Sequence, residues 1–222
     1  MRQSLHRTLS SWRGLVIAFI GGVLLLVAGP SVFASLTAQT SNASPQTVAS
    51  GTLKLTMSST NPSAGFSTSI TNLAPGDAVN RYIDLTNSGT LDSQGLTLGI
   101  ASTGTASLIT DGVAPVTTKA LRVTVRSCVA AWNQTNGTCA DAGGAVTQIA
   151  SAPLSTFASA QSFTDASLAA AAGLRLQIQV SLPDQNETTT NGVLPTNTVQ
   201  NGSVGLTYTF TEVQRTATTT NS

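Results

Sequence analysis

The sequence predicts an all-β protein, an antiparallel β-sandwich of the jelly-roll type with a short helical insertion, behind an N-terminal signal peptide. Three observations carry that prediction. Apolar residues alternate with polar ones in successive runs, most cleanly at Leu174, Leu176, Ile178, Val180 and Leu182, the period of a half-buried strand. Turn chemistry punctuates those runs at Pro75-Gly76-Asp77, Asn87-Ser88-Gly89 and Asp111-Gly112. The polar positions are mostly Thr, Ser, Asn and Gln, because charged residues make up only 9% of the chain. Thr is β-branched and presents a hydroxyl to water, which suits the outer face of a sheet.

Residues 1–34 read as the signal peptide. Arg2, Arg7 and Arg13 precede an unbroken apolar run from Leu15 to Ala28, which Gly29 and Pro30 end. Val32-Phe33-Ala34 then leads to a cut between Ala34 and Ser35. A basic start, a short apolar core and a small residue at the exit are the parts of a secretory signal. The other reading is an uncleaved anchor, for which the run is short. Cleavage removes His6, the one histidine. It also turns ten basic residues into seven against nine acidic ones, so the net charge passes from +1 to about −2. So weak a charge provides no field for nucleic acid.

Residues 35–50 form an N-terminal segment in which Leu36, Ala38 and Thr40 alternate like a strand. The domain spans 51–215. Its first strand starts at Thr52, with Leu53, Leu55 and Met57 on one face. A second covers Val79–Thr86, where Arg81 shares the face of Val79, Ile83 and Leu85. Leu96, Leu98 and Ile100 mark a third; Leu121, Val123 and Val125 mark a fourth that ends at Cys128. The Leu174–Leu182 stripe stops at Pro183, and Val204, Leu206, Tyr208 and Phe210 form the last strand. A shorter strand is expected near Ser67–Thr71. Ala145–Ala172 lacks alternation and is the expected place of the helical insertion, while Asp184–Thr198 is expected to be a mobile loop. Residues 216–222 are an expected disordered tail.

Cys128 and Cys139 have ten residues between them. In an exported chain they read as a disulfide closing a loop around Trp132, worth about 2–3 kcal/mol by loop entropy. The alternatives are a metal or redox pair, but zinc takes four ligands and redox motifs usually carry two intervening residues. Without histidine the mature chain builds neither a Ser-His-Asp nucleophile nor a histidine-ligated zinc site. The acidic residues are scattered singly, and no phosphate-binding loop or calcium loop is present. No catalytic, cofactor-binding or metal-binding residue is therefore assigned. Leu194-Pro195-Thr196-Asn197-Thr198 approaches a sortase signal but has Thr where Gly is required.

Ser50-Gly51-Thr52-Leu53-Lys54-Leu55, Asn72-Leu73-Ala74-Pro75-Gly76-Asp77 with Arg81, and Asn87-Ser88-Gly89-Thr90-Leu91 follow one another in order. Leu121-Arg122-Val123 with Cys128 and Trp132, Leu182-Pro183-Asp184, and Leu206-Thr207-Tyr208-Thr209-Phe210 before Gln214-Arg215 continue the series. In that shared order the chain resembles the TasA/camelysin family of exported bacterial surface proteins, and its many Ala and Thr with few Lys resemble an actinobacterial branch. The resemblance implies a jelly-roll domain, a SipW-type signal peptidase as partner during export, and self-assembly into fibres of the biofilm matrix. Some members carry a metallopeptidase label, which no motif here supports.

A mechanism of assembly accompanies this resemblance. Leu36, Ala38 and Thr40 have no hairpin partner beside them in sequence, so an open sheet edge of a second copy is their expected acceptor, giving a head-to-tail homopolymer. The alternative is that the segment folds back on its own domain. Matrix components are further expected partners; nucleic acid, and a membrane anchor after cleavage, are not. The competing function is a monomeric adhesin or carbohydrate-binding module, with Trp132 as the free aromatic. A secreted metallopeptidase stands third.

Overall fold

Leu176, Ile178 and Val180, from the strongest apolar stripe of the sequence, are buried at the centre of the protein in a computed structural model. The structure describes residues 16, 49–59, 66, 70, 72–112 and 118–219. The signal segment, the Ala34–Ser35 cut, Leu36, Ala38 and Thr40 lie outside the described residues, as does the expected strand at Ser67–Thr71 apart from Ile70. The chain divides into two compact units, Met1–Ala49 and Ser50–Ser222, and the second holds the β-sandwich.

Its strands are β1 (Leu55–Ser58), β2 (Ala78–Asn87), β3 (Ser93–Gly104), β4 (Arg122–Cys128), β5 (Trp132–Asn133), β6 (Thr138–Cys139), β7 (Val146–Pro153), β8 (Gln161–Ser162), β9 (Gly173–Ser181) and β10 (Val204–Gln214). A five-stranded sheet has the order β1-β2-β9-β4-β7, and a three-stranded sheet the order β10-β3-β8. Every pairing is antiparallel. The chain passes repeatedly from one sheet to the other, the winding of a jelly roll. Alternation does the rest: Ile83, Leu85, Val123, Val125, Leu176, Ile178 and Val180 of the larger sheet pack in one core with Leu96, Leu98 and Ile100 of the smaller.

The turn before β2 forms as its residues dictate. Gly76 has φ 91°, Asp77 N–H donates to the Ala74 carbonyl at 2.9 Å, and the Asp77 carboxylate accepts from Ala74 N–H at 2.8 Å.

Ala145–Ala172 departs from the expected insertion. Val146–Pro153 is the edge strand β7, and a single 3₁₀ turn, Leu154–Ala158, is the helical element of this stretch. A further short helix, α1 (Ala106–Ile109), follows β3. β7 escapes the alternation because its pairing with β4 shifts register, and because one of its two buried positions is Gln148. The Gln148 amide donates to Ser127 Oγ at 2.8 Å and to Asp165 Oδ2 at 2.6 Å, while its Oε1 accepts from Asp165 N–H at 2.8 Å. A buried polar side chain so satisfied costs little, but in sequence it reads as surface.

Asp184–Thr198 is a loop, with turns at 191–192 and 196–197, and hydrogen bonds tie parts of it to the domain. Glu187 accepts hydrogen bonds from Thr198 Oγ1 and, at 3.0 Å, from Val199 N–H. Lys119, fully buried, donates to the Asn197 carbonyl, and Ser107 Oγ donates to the Thr198 carbonyl at 2.9 Å. Burial alone pushes the Glu187 carboxyl up, but the bonds from Thr198 and Val199, the Lys119 charge and a bond from Gln200 together hold it below the ordinary carboxylate range.

Candidate functional site

The two ends of the sandwich differ. At one end β2 finishes at Asn87, β9 starts at Gly173 and β10 finishes at Gln214. Here the chain enters the domain. Thr52 N–H donates to Thr90 Oγ1 at 2.9 Å, Thr90 N–H to the Thr52 carbonyl at 2.8 Å, and Ser88 N–H to the Lys54 carbonyl at 2.7 Å. Arg215 N–H donates to the Asp92 carbonyl at 2.9 Å at this same end. At the opposite end β2 starts, β9 finishes and β10 starts, and there the two sheets part into a cleft of about 850 Å³.

One wall of the cleft is β10. It is an edge strand: β3 pairs with one side, and among the described residues no strand pairs with the other. β10 has 11 residues, a length of about 35 Å. Its Thr207 and Thr209 are exposed, while Val204, Leu206, Tyr208 and Phe210 face inward and remain only half-buried. Sheet composition explains this. A three-stranded sheet faces a five-stranded one, and among the described residues the smaller sheet has no strand beyond β10 to close the gap between them. Leu182, Leu121 and Leu108 line the floor of that gap, and Arg81, inward-facing from β2 and 7% exposed, is the charged residue among the described lining residues.

Tyr208 sits in the middle of the wall. The Phe66 ring lies flat against it, with centroids 4.0 Å apart and planes within 6°. Burial pushes the Tyr208 hydroxyl from 10.0 up to about 12, with the nearby Arg81 charge opposing the shift. The folded state therefore favours the protonated phenol. That contribution is whole below pH 10 and is lost as the pH rises towards about 12. Denaturant melts across this alkaline range should show a loss of about 2–3 kcal/mol that Tyr208→Phe removes. An identical alkaline limb in that variant would contradict the assignment.

Cys128 and Cys139 are joined by a disulfide, with Cα atoms 5.6 Å apart. It ties the end of β4 to the β5–β6 hairpin, which covers the outer face of the larger sheet. Trp132 Nε1–H donates to the Arg175 carbonyl at 3.0 Å, and the Trp132 ring tilts against Tyr82 at 6.0 Å. The Gln177 amide donates to the Gly137 carbonyl at 3.0 Å. Trp132 is thus a half-buried clamp over Tyr82, itself 4% exposed.

Residues 10–115 match the camelysin metallo-endopeptidase family. The matched stretch runs through β1, β2, β3 and α1, the Pro75-Gly76-Asp77 turn and Arg81. That match supports the TasA/camelysin assignment which the order of the motifs implies. At family level this places it with exported, matrix-related proteins. No curated protein matches the chain. Among solved structures, one described as AvmM, which catalyzes macrocyclization in alchivemycin A biosynthesis, is 10% identical. That likeness covers 75% of this chain and 91% of that one at a TM-score of 0.28, too distant to carry an argument.

The family's description implies a metal centre. Among the described residues no group of three or more His, Cys, Asp and Glu side chains could hold a metal ion, so the donor set for one is not assembled there. Among the described residues, too, no helix is long and apolar enough to cross a membrane. The sequence expected an open edge without saying which strand bears it. The cleft, with Arg81, Tyr208 and Phe66, was not foreseen as a site; Arg81 on an apolar face was the one signal for it.

Proposed function

We propose that this family member is an exported structural protein of the extracellular matrix or cell surface whose copies polymerise head to tail. The N-terminal segment of one copy, residues 35–50, adds as a strand to β10 of the next. The observation that supports this reading is the placement of the open β10 edge and its apolar cleft at the end of the sandwich opposite to where the chain enters at Thr52. A segment leaving one copy at the entry end meets the cleft end of a second copy stacked along the strand axis. Such a contact does not close on itself and propagates as a filament.

The same geometry sets strand polarity. The donor's C-terminal part lies at the acceptor's cleft end and its N-terminal part reaches towards the other end, whereas β10 starts at the cleft and runs away from it. The added strand is therefore antiparallel to β10. Leu36 and Ala38 then face the acceptor core while Thr37 and Gln39 face water. Each main-chain hydrogen bond contributes about 0.5–1.5 kcal/mol net, and burial of Leu36 adds to them. Cleavage between Ala34 and Ser35 by a SipW-type signal peptidase frees the donor, so assembly follows export.

Electron microscopy of the purified chain from Ser35 to Ser222 tests this directly. Unbranched filaments are expected as concentration rises; a chain that stays monomeric at every concentration would overturn the proposal.

A further inference from the structure

We propose that the Phe66 side chain is an intramolecular placeholder in the acceptor cleft, and that a donor strand enters by displacing it; this rests on the polymerisation reading above. Phe66 belongs to the connection between β1 and β2, and Ile70 and Leu73 of the same connection also line the cleft. Its ring stacks on Tyr208 at 4.0 Å. A strand added to β10 places its inward side chains about 4.5–5.5 Å from those of β10, on the same face. Ile100 of β3 already neighbours Tyr208 on the paired side, so in this reading the ring stacked on Tyr208 competes for the space that the cross-strand neighbour from an added strand would fill. The two cannot share that place.

The exchange is uneven in a useful way. Phe66 lies in a turn, outside any strand, so it supplies a ring to Tyr208 without supplying β10 with a paired neighbour. A donor strand supplies both an apolar side chain and a main-chain ladder. The monomer thus keeps Tyr208 covered and its inner face out of water, which limits unproductive association through an exposed apolar surface. A donor of the right register still wins because the ladder outweighs one stacked pair. The placeholder also sets a requirement on the donor: its side chain opposite Tyr208 must be apolar and no larger than the ring it replaces, which Leu36 satisfies.

The test titrates a fluorescent peptide with the sequence of residues 35–49 into the full chain, held below its assembly concentration, and follows assembly of the same protein by light scattering. Phe66→Ala is expected to bind the peptide roughly tenfold tighter, the fold-change that corresponds to one aromatic pair. It is also expected to shorten the assembly lag. Phe66→Tyr, which keeps the ring, is expected to behave as the parent, and Phe66→Leu to fall between. Parent-like peptide affinity in Phe66→Ala, alongside normal filaments, overturns the placeholder and leaves polymerisation standing. Weaker binding in Phe66→Ala also overturns it, since Phe66 would then be part of the acceptor wall. A peptide bound by neither protein, with no filaments, overturns both.

Discussion

Deletion of residues 35–49 is expected to abolish filaments and leave a folded monomer. Among the described residues the strands and core of the sandwich all lie downstream of that segment. The first residues of the domain are held by their own loop: Ser88 N–H on the Lys54 carbonyl at 2.7 Å, Thr90 N–H on the Thr52 carbonyl at 2.8 Å, and Thr52 N–H on Thr90 Oγ1 at 2.9 Å. β1 then pairs with β2 from Leu55↔Asn87 to Ser58↔Asp84. Among the described residues the buried apolar core runs from Ile83 to Val199, downstream of the deletion. Far-ultraviolet circular dichroism should therefore be unchanged while electron microscopy shows no fibres. Ala38→Pro is the gentler version: it removes one main-chain donor and constrains the backbone in mid-strand, so filaments weaken without a change in melting temperature. Undiminished filaments from the deletion variant at matched concentration would refute exchange through this end.

Replacing Cys128 with Ser should cost about 2.5 kcal/mol of stability, from the entropy of a loop with a sequence separation of 11. In a domain of this size that lowers the melting temperature by about 5–10 °C. The structure adds a local consequence. The disulfide holds the hairpin whose Trp132 and Gly137 cover Tyr82 and Gln177, which are 4% and 2% exposed. Loss of the bond lets that cover lift, so Trp132 fluorescence should shift towards that of a solvated indole before global unfolding. Reductant should reproduce both effects in the parent protein. A parent melting curve indifferent to reductant would show that the disulfide contributes nothing.

Much of the fold was legible because alternation is a local property. Leu174 to Leu182 could bury one face only as a strand, and they became the central strand of the larger sheet. Arg81 was correctly placed on the inward face of β2 by periodicity alone, opposite Ile178 of β9. β7 was hidden because Gln148 is buried among polar partners 17 and 21 residues away. The anchoring of Asp184–Thr198 was hidden for a related reason: Lys119 looks like a solvated charge until the fold encloses it, and Glu187 gains its partners only when Thr198 and Val199 are brought to it.

By itself the sequence determined the alternating strands, the turns, the half-cystine pair and the family, because each depends on residues close together or on their order along the chain. The tertiary structure alone decided that β10 is, among the described residues, an edge strand beside the cleft, that the cleft opens at the end opposite to the chain's entry, and that Phe66 rests on Tyr208. Those are matters of which strands pair across long stretches of sequence. Strand pairing is set by the joint burial of both sheets' faces, so no single run of residues encodes it.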